Sequence, residues 1–358
     1  MINYRQLSMD VIHAGQAISG AYVASPTFSQ YGYSWLRDGT WIAAAMAKRG
    51  ERASAEAFHS WAARTLLRYE AQIEHLLAKL ERGETPAEAD YLPTRFHVDG
   101  ELGQEEWTDF QLDGYGAWLW GLAEFCQTAS HPLWQEARPA VHLLVRYLQA
   151  LWQSPNYDCW EENRNHIHTA TLAAIYGGFT SVRCLDPELV SADWPTRIRE
   201  YVLATCVARD GHFVKYIGNE EVDASLLWTA LPFGLVAVDD PLFVATLAKV
   251  ERDLHYPGGG VYRFKADTYF GGGEWLLLAA WLGWAYIETG RADEARPILR
   301  WIEAQATESG EMPEQVDTHC LDASYVPYWI NRWGTSACPL LWSHAMYLLL
   351  EARLREES

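Results

Sequence analysis

Apolar residues along this chain recur at helical spacing, in two alternating styles. In Ala140–Trp152, Val141, Leu144, Val145, Leu148 and Leu151 form a stripe at intervals of three and four. His142, Arg146 and Gln149 point the other way, the pattern of a half-exposed amphipathic helix. The segments near 2–20, 52–81, 186–207, 240–254 and 291–307 read similarly. Between them lie stretches apolar on nearly every side. They start at Trp41, Gly114, Thr169, Ala224, Trp275 and Pro339. A helix without a polar face is buried all round. Six buried helices alternating with six half-exposed ones predict two concentric rings, an all-α (α/α)6 barrel. No Gly/Ser-rich linker divides the chain, so residues 1–358 read as a single domain, with Glu81–Arg95 as a long loop.

The loops that precede the buried helices share a composition. They contain YGYSWLRDG, EEWTDFQLDG, YDCWEENRNHIH, KYIGNEEVD, VYRFKADTYFGGGEW and EMPEQVD, each rich in aromatic, acidic and amide residues. A ring of helices brings such loops together at one end, as one aromatic-lined acidic pocket. Each motif also has a plainer reading. Asp38, Asp113 and Asp223 fit helix N-caps. WLRD fits a buried Arg–Asp pair, and Gly271–Gly273 a flexible helix start. His166 and His168 are two apart, whereas zinc pairs sit at i and i+4, so neither a metal nor another cofactor is expected.

Composition narrows the partners. The net charge of −19 argues against nucleic acid and anionic membranes, both of which need a basic patch. The longest apolar run, Trp275–Ile287, is short for a bilayer span. The six cysteines form no CxxC and read as reduced thiols, and the N-terminus shows no apolar leader, so a cytoplasmic location is expected. The 18 tryptophans are mostly core candidates, but those beside Asp, Glu and Arg suit sugar rings, which have apolar faces and polar edges.

Two carboxylates in such a pocket are what glycoside hydrolysis requires: one protonated acid and one carboxylate opposite it. Glu161 lies between Trp160 and Glu162. An apolar ring and a neighbouring negative charge both raise a carboxyl pKa, as the acid needs.

From about Tyr31 to Ala345 these motifs resemble the glucoamylase-type glycoside hydrolases, family 15. YGYSWLRD resembles the family's Tyr-x-Tyr-x-Trp-x-Arg-Asp segment. The match implies that Arg37 and Asp38 bind the non-reducing-end glucose, with Tyr31 and Trp35 as aromatic wall. EEWTDFQLDG is similar to the loop that supplies Trp107, Gln111 and Asp113. YDCWEE resembles the segment with Trp160, the general acid Glu161 and the substrate-binding Glu162. The remaining matches imply Arg263 on a sugar hydroxyl, Glu314 as general base and Trp342 at the pocket. Glu311 is the rival base. Leu341 and Cys159 depart from the pattern, and Glu274 has no counterpart role. The resemblance implies an inverting exo-acting hydrolase that releases β-D-glucose without a cofactor.

No stretch is left for a starch-binding module or an N-terminal β-sandwich. A short α-glucoside, isomaltose or another small oligosaccharide, is therefore the expected substrate. The aromatic segment Thr318–Gly334 is expected to close and shorten the pocket. Alternatives are an α,α-trehalase and a non-catalytic sugar-binding barrel. A terpene cyclase would need an Asp-rich metal motif, and a phosphorylase would have no use for Glu314. Linkage preference and oligomeric state are not written in these motifs.

Overall fold

The computed structural model describes residues 2–103 and 107–357; residues 104–106, the last two of which open EEWTDFQLDG, lie outside them. The α-helices among the described residues are α1 (Tyr4–Ala14), α2 (Leu36–Lys48), α3 (Arg52–Arg68), α4 (Glu70–Glu81), α5 (Asp113–Cys126), α6 (Pro132–Leu151) and α7 (Thr169–Leu185). They continue with α8 (Asp193–Thr205), α9 (Pro241–Leu254), α10 (Leu276–Glu288), α11 (Ala292–Ala304), α12 (Val326–Trp333) and α13 (Leu341–Glu356). Helices α2, α5, α7, α10 and α13 form the inner ring together with a 3₁₀ segment, Ala224–Thr229, that sits between α7 and α10. The ring closes where α13 packs on α2. Helices α3, α6, α8, α9 and α11 pack outside it, and α1 supplies the outer partner of α13. The expected all-α double ring is therefore present.

Local chemistry sets several boundaries. Asn3 caps α1, its side chain accepting from the Gln6 N–H at 3.3 Å. Asp240 caps α9 in the same way, followed by Pro241 in the first turn, where a missing N–H costs nothing. Three expectations need correction. The outer segment 52–81 is two helices, broken at Tyr69. The fourth inner member is only the six-residue 3₁₀ segment Ala224–Thr229. Pro232 follows closely; it lacks an N–H and disfavours α geometry at Leu231, so the helix cannot propagate. Finally, Thr318–Gly334, read as loop, contains α12, which has a proline in its first turn and ends at Gly334 with φ +88°.

Twelve of the eighteen tryptophans are buried, so most of that unusual content is core. Along the barrel interior, Trp41 packs against Trp228 and Trp281 with ring centroids 6.0 and 6.1 Å apart. Trp281 in turn meets Trp342 at 5.7 Å and Trp160 at 6.2 Å. Aromatic pairs at such distances add about 0.5–1.5 kcal/mol each beyond area burial. The few strands are two-residue pairs that pin loops at the N-terminal ends of inner helices. Strand β1 (Ser34–Trp35) pairs antiparallel with β2 (Arg95–Phe96), and β3 (Glu274–Trp275) with β4 (Gln315–Val316).

Candidate active site

The loops at the N-terminal ends of the inner helices enclose a cavity of about 630 Å³. That lies within the roughly 300–1,000 Å³ of small-molecule sites. Seven tryptophans line it: Trp35, Trp107, Trp160, Trp275, Trp329, Trp333 and Trp342.

On one side is the turn around Glu161 and Glu162, organised by the buried Asp158. One Asp158 carboxylate oxygen accepts from the Trp160 N–H (3.0 Å) and the Glu162 N–H (2.9 Å), and the other from the Asn163 amide (3.1 Å). The turn forces Glu161 to φ +67°, a left-handed conformation that costs a non-glycine residue on the order of 1 kcal/mol. This sends the adjacent glutamates to different partners. Glu161 Oε1 accepts the Trp35 indole N–H at 2.6 Å and lies 4.0 Å from the Arg37 guanidinium. Glu162 accepts from Arg263 at 3.0 Å. Burial raises the Glu161 pKa to about 7, against the pull of Arg37 and Trp35 and with a push from Asp38. The expectation that Trp160 and Glu162 hold its proton is thus corrected. The indole on its carboxyl is Trp35, the negative neighbour is Asp38, and the Trp160 indole N–H goes to Asp223 at 2.8 Å.

Glu314 occupies another wall, just before β4. Its N–H is tied to the Ala337 carbonyl at 2.8 Å, and the residue is 2% exposed. Tyr31 donates to its Oε1 at 3.0 Å and Ser336 to its Oε2 at 3.4 Å. Burial raises its pKa to about 7 as well, with Tyr31 and Arg263 opposing. Two aromatic rings span the distance between the carboxyls. Tyr31, bonded to Glu314, sits edge-on to Trp35 at 5.7 Å, and Trp35 is bonded to Glu161. Glu311, the rival, does not line the cavity; its side chain accepts from Ser309.

Arg37 and Arg263 supply the positive charge. Arg37 pairs with Asp38 at 3.3 Å and, deeper, donates to Gln111 at 2.8 Å and Asp113 at 3.2 Å. Gln111 and Asp113 therefore do not meet the expectation that they touch sugar: they are buried behind Arg37, off the cavity surface. Asp38 is pushed up to about 6, chiefly by burial. The other eleven residues singled out from sequence all line the cavity: Tyr31, Trp35, Arg37, Asp38, Trp107, Trp160, Glu161, Glu162, Arg263, Glu314 and Trp342. The indole nitrogens of Trp107 and Trp342 are buried without a hydrogen-bond partner, as groups awaiting hydroxyls would be.

Residues 2–351 match the family described as glycosyl hydrolases family 15. The chain belongs to that family. Its relatives include an isomaltose glucohydrolase from Kribbella flavida, 46% identical over 353 residues, covering 96% of this chain and 90% of that one. A protein named trehalase 2, from Sulfolobus acidocaldarius, is 25% identical and aligns over 89% of this chain but 59% of its own length. A solved glycosidase variant in complex with glucose superposes with a TM-score of 0.93 at 44% identity, over 98% of this chain and 96% of that one. The protein is accordingly a glycoside hydrolase. Among the described residues no cluster of His, Cys, Asp and Glu could hold a metal, and no helix is long and apolar enough to cross a membrane.

Several members of this family 15 site escaped the motif reading. Asp267 orients Arg263 through a 2.7 Å bond to its Nε. Lys215 bridges Asp223 (2.8 Å) and Asp158 (3.3 Å) beneath the Glu161 turn. Helix α12 lies along the cavity with Trp329, Arg332 and Trp333. Trp329 donates to the Thr268 carbonyl on one side, and Trp333 stacks on Trp107 on the other. Glu274, which had no assigned role, is a buried tie. It accepts from the Gly260 N–H at 2.7 Å and pairs with His319 at 2.9 Å, while that imidazole stacks on Tyr256. A Cβ on Gly259 would lie 2.2 Å from the Glu274 carboxylate, so a larger residue there would displace that tie. The ties made by Lys215, His319 and Trp333 had no signal in sequence spacing, since each reaches a partner on another loop; Asp267 is only four residues from Arg263, and the segment that holds α12 was expected at the pocket.

Proposed function

We propose that this chain is an inverting, exo-acting α-glucosidase that releases β-D-glucose from the non-reducing end of short α-glucosides, with isomaltose favoured. The observation that carries this reading is the pair of carboxyls, the part-buried Glu161 and the buried Glu314, held on one cavity by separate aromatic donors. Glu161 protonates the glycosidic oxygen as the bond to the anomeric carbon breaks. Glu314 takes a proton from a water that attacks the opposite face. Inverting enzymes keep such carboxyls roughly 6.5–9.5 Å apart to accommodate that water. Each turnover leaves Glu161 ionised and Glu314 protonated, and exchange with solvent restores both.

Arg37 and Asp38 bind the terminal glucose, with Gln111 and Asp113 positioning Arg37. Arg263 and Glu162 form a second polar fork. Trp35, Trp107, Trp160 and Trp342 face the ring, and Tyr31 holds the base. Helix α12 covers the leaving-group side, which favours substrates of two or three rings. The 46% identity to an isomaltose glucohydrolase supports isomaltose within that class. Six free thiols suit a reducing compartment, and a cytoplasmic location is part of the proposal.

Isomaltose, maltose, trehalose and dextran assayed side by side, with NMR of the first anomer formed, test the reading. The expected result is fastest cleavage of isomaltose with β-glucose appearing first. Preferential cleavage of trehalose would favour the trehalase reading, which relatives of that name support. First-formed α-glucose would refute inversion, and no cleavage of any member would leave a sugar-binding barrel.

A further inference from the structure

A second cavity, about 570 Å³, opens at the opposite end of the barrel, among the C-terminal turns of the inner helices. Its origin is the truncated fourth inner member. At a rise of about 2.0 Å per residue, a six-residue 3₁₀ segment is far shorter than neighbouring α7, whose seventeen residues rise about 1.5 Å each. The missing turns lie at this far end, where Pro232 lines the cavity.

We propose that this cavity is a second small-molecule site that takes a monosaccharide carrying an anionic group, such as a phosphate ester. Three independent features support it. Trp120 lines the cavity and offers a flat apolar face for a sugar ring, beside Trp284 and Phe125, whose rings carry the Arg353 and Arg52 guanidinium groups. Two lining residues, each 1% exposed, carry a buried polar atom with no hydrogen-bond partner, Nδ1 of His59 and Nε1 of Trp41. Leaving buried polar groups unpaired is unfavourable. Ring hydroxyls would satisfy both, one oxygen accepting from the Trp41 N–H. Burial holds His59 far below its usual range, at about 3, so at neutral pH Nδ1 belongs to an uncharged imidazole.

The third feature is charge. Lys48, Arg52 and Arg353 line the cavity against one carboxylate, Glu124, in a chain whose net charge is −19. Lys48 and Arg353 have acidic neighbours, Glu356 at 2.5 Å and Glu288 at 3.7 Å. Arg52 donates to the Phe125 carbonyl at 3.1 Å and lies over the Phe125 ring. Lys48 and Arg52 are exposed lining groups, whereas His59 and Trp41 are almost fully buried. That order suits a ligand with hydroxyls at one end and an anion at the other.

Calorimetric titration of the full chain with D-glucose 6-phosphate tests this, with glucose in excess to occupy the active site. The expected result is one equivalent bound. Affinity should fall tenfold or more in Arg52→Ala, and likewise in Trp120→Leu, while both variants keep the parent's melting temperature and hydrolytic kcat. Inorganic phosphate should bind at least tenfold more weakly than the ester. The proposal is overturned if no binding survives excess glucose, if Arg52→Ala leaves the affinity unchanged, or if inorganic phosphate binds as tightly as the ester. Arg52 is exposed at the start of α3, so its variant remains a valid test even if Trp120→Leu fails to fold. The outcome is independent of which glycosidic bond the active site cleaves.

Discussion

Replacing Glu314 with glutamine should inactivate the enzyme and stabilise it, and the stabilisation should depend on pH. The carboxyl titrates at about 7 in the folded chain, against an ordinary value of 4.5, because burial disfavours the anion. A folded-state pKa raised above the unfolded value contributes stability fully present below about pH 4.5. That stability is lost as pH rises through 7. The displacement of some 2.5 units, at about 1.4 kcal/mol per unit, is on the order of 3 kcal/mol by pH 8. Glutamine does not titrate. Its Oε1 can still accept from Tyr31, and its amide can donate to Ser336, so packing and hydrogen bonds are nearly retained.

The assay is the melting temperature of parent and Glu314→Gln at pH 4.5 and pH 8. Taking the difference between the two pH values cancels any constant effect of the substitution. The variant's advantage should grow by about 3–6 °C between them, given a few degrees per kcal/mol for chains somewhat shorter than this one. kcat should fall by at least ~10²-fold, the usual contribution of a positioned base. An advantage equal at both pH values, or larger at pH 4.5, would refute the account of Glu314 as a carboxyl held up by burial. Retained kcat would refute its role as base.

Other consequences can be checked separately. The kcat/KM of the parent should fall on both sides of neutrality, and Glu161→Gln should abolish most activity and remove the alkaline limb from what remains. Trp35→Phe deletes the N–H that favours the Glu161 anion, so the alkaline limb should move up by about 1–2 pH units; no movement, or a downward one, would count against that bond's role. Gln111→Ala frees Arg37 on one side and should raise KM for isomaltose about tenfold with a smaller change in kcat, as expected for a positioning residue. His319→Ala removes a tie between Glu274 and the segment that leads into α12, so limited proteolysis within residues 317–334 should accelerate while the core helices stay protected.

Legibility from sequence followed the range of the forces involved. The two helix styles were readable because amphipathicity is a local, periodic property; Val141 to Leu151 show their stripe without reference to any other part of the chain. The fourth inner helix misled for the same reason. ASLLWTALPFGL is apolar all round, and periodicity cannot register that Pro232 ends the helix early. The cavity's composition was readable because helix-preceding loops must converge in a ring. Which atom bonds to which was not. Trp35 reaches across 126 residues to Glu161, Tyr31 across 283 to Glu314, and Gln111 across 74 to Arg37.

The adjacent glutamates carry that difference into the chemistry. In sequence Glu161 and Glu162 look like a coupled pair, each able to keep the other protonated. In space Asp158 folds the turn, φ at Glu161 turns positive, and each carboxyl takes its own arginine and its own side of the cavity. The proton on Glu161 is then governed by burial and by Asp38, on a different loop. Neutralising Glu162 should accordingly leave the alkaline limb of the pH profile in place while weakening sugar binding through Arg263. If Glu162→Gln instead lowered that limb by a unit or more, the two carboxyls would be coupled after all, and sequence adjacency would have been the better guide.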